Sequence, residues 1–90
     1  MSKDRIIALE DEFKKRYNRE VEVWRDVFTA DKKFTKVIVD FIYGSQLFTI
    51  TEYFTDDQTT DYVTLEHKDK CHRYGRYLDA EVHMADIIGG

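Results

Sequence analysis

Proline is absent from this 90-residue chain, which removes cis-proline turns and proline-rich linkers from consideration. A single cysteine, Cys71, excludes an intramolecular disulfide framework and leaves only a bridge between chains. Glycine is scarce, and Gly44 and Gly75 are the only two before the closing Gly89-Gly90. The chain carries no Gly-rich phosphate loop, nucleophile elbow, H-E-x-x-H helix or C-x2-C pair. No apolar run approaches the length that spans a bilayer, so no membrane association is expected. The opening MSKDRIIALEDEF has acidic residues inside its apolar run and no small-residue cleavage pattern, unlike a signal peptide. The expected location is therefore cytoplasmic, meaning the host cytoplasm if the chain is viral.

What is present is aromatic. Six Phe, six Tyr and one Trp in 90 residues can fill a small core, because each removes a large area from water. Together with 42% hydrophobic residues, they are too many for a disordered chain. The length fits one domain spanning residues 1–90.

The stretch KVIVDFIYGSQLFTITEYF, residues 36–54, is the strongest local signal. Two β-rich runs flank Gly44-Ser45, a pair suited to a two-residue hairpin turn with a positive φ at its first position. That turn fixes a register: Tyr43 faces Gln46, Phe41 faces Phe48, Val39 faces Ile50 and Val37 faces Glu52. Upstream, Ile6, Leu9, Phe13 and Tyr17 recur at helical spacing, with Ile7 beside them, and predict an amphipathic helix over 3–17. Lys14, Lys15 and Arg16 suit its C-terminal end, and Asn18 can supply a left-handed cap. Residues 20–28 alternate and read as a strand, with Val21, Val23 and Val27 on one face. Thr29 to Lys33 reads as a turn, as does Asp56 to Asp61, and 62–67 as a fourth strand. Residues 76–88 suit either a helix or an extended segment, and the helix is preferred, after an extended arm through about 76.

The expected fold is therefore α+β: an N-terminal helix packed on a four-stranded antiparallel β-meander, with a C-terminal helix or extended segment. The helix should cover Val37, Val39, Phe41, Phe48, Ile50 and Phe54. The opposite face then holds Phe34, Ile38, Ile42, Leu47 and Tyr53, diluted by Lys36, Asp40, Thr49 and Thr51. A face meant for water alone would carry fewer large residues, so either the C-terminal segment or a partner should cover it.

Three chemistries merit weighing. Net charge is −4, yet residues 67–77 hold Lys68, Lys70, Arg73 and Arg76 against Asp69 alone. Interleaved with Tyr74 and Tyr77, these cations could neutralise phosphates while the rings stack on unpaired bases. No RRM, KH or helix-turn-helix signature accompanies them. His67, Cys71, His72 and His83 collect zinc-type ligands in one stretch, without the spacing of a known zinc site. They are weak candidates, so no metal and no cofactor is expected. Asp40, in mid-strand opposite Thr49, needs a second group such as His67 to act catalytically. Without a paired constellation, the chain is not expected to be an enzyme.

The leading expectation is a small non-enzymatic interaction module, a regulatory or inhibitory protein of phage or mobile-element type. It would bind a protein partner, or a second copy of itself, through Ile42, Leu47, Tyr53, Arg73, Tyr74 and Tyr77. The alternative is an RNA- or single-strand-binding protein using Lys68, Lys70, Arg73, Tyr74, Arg76 and Tyr77.

Overall fold

A computed structural model describes residues 2–28, 36–57 and 59–89, with the backbone alone for 2–6 and 24–28. The order is α1 (Ser2–Tyr17), β1 (Glu22–Phe28), β2 (Lys36–Tyr43), β3 (Gln46–Phe54), β4 (Thr60–His67), β5 (Lys70–Tyr74) and α2 (Tyr77–Gly89). The strands form one antiparallel sheet in the order β1-β2-β3-β4-β5. The class is the expected α+β. Phe34 and the turn expected at residues 29–33 lie outside the described residues.

The sheet has one strand more than the sequence reading gives. Residues 70–74, expected in an extended arm, form β5 through a tight reversal at Lys68-Asp69, where Lys68 takes φ 57. Neither residue is glycine or asparagine, so composition did not mark this turn. The Gly44-Ser45 turn is as expected: Gly44 has φ 62, and β2 and β3 pair in the register derived from it. Asn18 caps α1 at φ 56, its N–H donating to the Lys14 carbonyl at 2.8 Å.

One face of the sheet builds the core. Val37, Val39 and Phe41 alternate inward on β2, Phe48 and Ile50 on β3, and Val63 and Leu65 on β4. α1 adds Phe13, fully buried, and α2 adds Ala80 and Met84. Each large side chain so buried contributes about 1.5–3 kcal/mol. Phe54 is partly buried against this cluster, whereas Ile7 of α1 is exposed. β1 departs from simple alternation. Its register shifts between Val23 and Arg25, so Val23 aligns with Phe41 but Val27 aligns with Ile38, a row of the other face. A bulge that adds one residue reverses strand parity, and the expected shared face of Val23 and Val27 is lost there. The Glu10 carboxylate of α1 accepts the Val23 N–H at 2.8 Å, beside this shift.

α2 resolves the ambiguity of the C-terminal segment. It packs across β3, β4 and β5 on the face that α1 also occupies. The two helices are joined by Glu81, only 3% exposed, which accepts from Arg16 Nη1 at 2.6 Å and from the Tyr17 hydroxyl at 3.0 Å. The C-terminal segment therefore does not fold over the second sheet face.

Candidate interaction face

That second face is organised in rows by the register. Across β2 to β5, Lys36, Tyr53 and Tyr62 form the first; Ile38, Thr51, Thr64 and Arg73 the second; Asp40, Thr49, Glu66 and Cys71 the third; Ile42 and Leu47 the fourth, where Glu22 of β1 aligns with Ile42. Leu47 is 50% exposed beside the turn, and Ile38, Ile42, Tyr53 and Tyr62 are half-buried. Thr51, in mid-sheet, is buried by its neighbours.

The first rows carry a ladder of planar groups. The Tyr53 and Tyr62 rings stack at 4.5 Å between centroids and 20° between planes. The Arg73 guanidinium lies 4.0 Å from the centroid of the Tyr62 ring. Because β4 runs between β3 and β5, Tyr62 is the middle member. Pairs of this kind add about 0.5–1.5 kcal/mol beyond the area they bury. Burial first, then the proximity of Tyr62, Glu66 and Cys71, raises the Tyr53 phenol above its ordinary pKa. Each contact also occupies a ring face that an unpaired base would otherwise use.

At the other end, a hollow lined by Leu47, Thr49, Glu66 and Lys68 opens next to the β2–β3 turn. Thr49 Oγ1 donates to Asp40 Oδ1 at 2.7 Å across the third row. Glu66 is exposed there and, among the described residues, makes no ion pair.

Strand parity divides the basic segment. Arg73 and Cys71 project on the open face, whereas His72 and Tyr74, aligned with Leu65 and Val63, project on the helix side. Lys70 shares that side, and Lys68 sits in the turn. The Tyr74 hydroxyl hydrogen-bonds His83 Nδ1 of α2, and burial raises its pKa. Tyr77 is half-buried against the core. Arg76 donates to both oxygens of Asp79, at 3.3 Å from Nε and 3.0 Å from Nη2. Of the six partner-binding candidates, Ile42, Leu47, Tyr53 and Arg73 thus share one face, and Tyr74 and Tyr77 do not. Of the nucleic-acid candidates, Arg73 alone stands on the open face with ring neighbours.

The histidines separate as well. His67 stacks on Phe48 at 4.2 Å, and its Nε2 is 2.9 Å from Gln46 Oε1. Burial first, then Lys68 and Lys70, lowers its pKa. His72 and His83 meet edge to face at 4.8 Å, while Cys71 is exposed on the opposite sheet surface. Among the described residues no three His, Cys, Asp or Glu side chains gather as a metal site. Asp40 and His67 likewise fall on opposite faces, because they align with Thr49 and Phe48, neighbours in one strand.

Two residues escaped the sequence reading. Tyr62 becomes part of the ladder only once the β3–β4 register is fixed, and Glu81 joins two helices 65 positions apart. No helix of the described residues is long and apolar enough to cross a membrane. No protein-family model, curated protein or solved structure matches this chain.

Proposed function

We propose that this chain is a non-enzymatic interaction module, a small regulatory or inhibitory protein that holds a protein partner against its open sheet face. The observation that carries this reading is the placement of both helices on one side of the sheet. The other side presents Ile42, Leu47, Tyr53, Tyr62 and Arg73 together. Aromatic and arginine side chains held rigid by their neighbours make good anchors, since little side-chain entropy is left to lose on binding. The opposed placement of Asp40 and His67 supports a non-enzymatic role, because it separates the one acid–base pair the sequence offered.

The nucleic-acid alternative has less support. Its basic segment is divided between two surfaces, and the Tyr62 ring is already enclosed by Tyr53 and Arg73.

The test is binding by Ile42→Asp and Leu47→Asp, with salt titration. A charge introduced into the apolar end should weaken protein binding on the order of 100-fold, with modest salt dependence. Retained binding in both variants would refute the reading. A steep loss of binding to single-stranded RNA with added salt, reduced by about one phosphate's worth in Arg73→Ala, would favour the alternative.

A further inference from the structure

We infer that the occupant of the open face is a second copy of this chain, related by a two-fold axis that lies between the two sheets and runs across the strands. This inference rests on the interaction-module reading and specifies its partner.

The polarity of the face selects this occupant. Among the described side chains, its cations Lys36 and Arg73 stand in the first and second rows, with the tyrosine pair. Its acids Asp40 and Glu66 stand in the third and Glu22 in the fourth, beside Ile42 and Leu47; Arg25 of β1 aligns with Asp40, which leaves this end net acidic. A face of one charge sign would repel its own copy, and a uniformly apolar face would fix no register. This face is basic and aromatic at one end, acidic and aliphatic at the other. A two-fold axis across the strands reverses each strand over its own counterpart, so that each end meets the opposite end. Tyr53 then comes over Leu47 of the second copy, and Arg73 comes beside its Glu66. The same happens again across the axis, so every favourable contact is made twice. The guanidinium carbon of Arg73 lies over the Tyr62 ring, and in this arrangement its N–H groups are within reach of the incoming carboxylate.

The size of the face sets the strength. Five strands at about 4.8 Å and four rows at about 6.8 Å give roughly 650 Å² in plan. A stable interface takes about 800 Å² from each partner, so this one belongs at the weak, reversible end. The middle rows are rich in threonine, which also limits apolar burial. Association is therefore expected at micromolar and higher concentrations, as a closed pair rather than a chain of subunits.

Reciprocal charge exchange tests this. In sedimentation equilibrium the 10.8 kDa mass should double as concentration rises through the micromolar range. Arg73→Glu alone and Glu66→Arg alone should each weaken pairing on the order of 100-fold, because like charges then meet twice. Mixing the two variants should restore the pair, since Arg–Glu contacts re-form at both places. The double variant Arg73→Glu/Glu66→Arg should pair with itself. Circular dichroism confirms that each variant is folded. Leu47→Asp should abolish pairing in every combination.

A wild-type chain that stays at 10.8 kDa up to several hundred micromolar overturns the inference, as does a failure of the mixed, folded variants to pair. If the wild type is monomeric but Leu47→Asp releases another bound protein, the second copy is refuted while the interaction module stands. If Ile42→Asp and Leu47→Asp alter neither pairing nor the binding of another protein, both fall together.

Discussion

Arg16 is half-exposed near the end of α1, and removing an exposed arginine ordinarily changes stability by no more than about 0.5 kcal/mol. Arg16→Ala should cost far more here. The reason is its partner. Glu81 is 3% exposed, and truncation of Arg16 leaves that carboxylate with the Tyr17 hydroxyl as its remaining side-chain donor. Breaking a fully buried pair by deleting one member costs about 3–5 kcal/mol. Arg16 itself is 46% exposed, so water can reach the vacated space, and screening reduces the expected cost to about 2 kcal/mol. For a domain of this size each kcal/mol lowers Tm by about 5 °C, which predicts a drop of about 10 °C. Glu81→Gln keeps the shape and an acceptor for Tyr17, and should cost about 1 kcal/mol. The informative variant is the double one. Once the uncompensated charge is gone, Arg16→Ala/Glu81→Gln should be no less stable than Arg16→Ala alone. Urea unfolding followed by circular dichroism gives all four corners of the cycle. Strictly additive losses, or a loss below about 0.5 kcal/mol for Arg16→Ala, would refute the reasoning.

Tyr17 extends the same clasp to alkaline pH. Burial first, then the charge of Glu81, pushes its phenol from 10.0 up to about 12. Its protonated form is therefore favoured in the fold, and the contribution is complete below pH 10 and lost between pH 10 and about 12. Unfolding free energy should fall more steeply across that window in the wild type than in Tyr17→Phe. At the acidic side, His67 has its pKa lowered, chiefly by burial against Phe48, so the neutral ring is the folded form. Its contribution is present above the ordinary histidine value and lost as pH falls below it. His67→Gln should flatten that limb of the stability curve, and an unchanged slope would remove His67 as its source. Lys68 adopts φ 57 without the freedom of glycine. Lys68→Gly should raise stability by about 0.5–1 kcal/mol in chemical denaturation. Gly44→Val, at φ 62, should lower it by a similar or larger amount, although a Cβ there meets no neighbouring atom within 4 Å.

The sequence by itself determined the local devices and the covered sheet face. Gly44-Ser45 sets the β2–β3 register because few other residues accept a positive φ at that turn, and the register then sorts Val37, Val39 and Phe41 from Ile38, Asp40 and Ile42. The α1 stripe and its Asn18 cap follow from helical spacing in the same way. Period-two and period-3.6 patterns are local, so a single chain displays them. The tertiary structure decided what depends on distant pairing. Lys68 takes a strained conformation in the turn that the β4–β5 pairing closes, with His67 aligned to Lys70. That turn assigns Arg73 to the tyrosine ladder and sends Tyr74 to the helix side. The direction of α2 depends on the fit of Ala80 and Met84 into the core and of Glu81 onto Arg16 and Tyr17. By joining α1 on the same side, α2 leaves the face of Ile42, Leu47 and Tyr53 uncovered by either helix. Neither pattern in the sequence specifies which side of a sheet a second helix takes, because that choice rests on contacts between residues more than sixty positions apart.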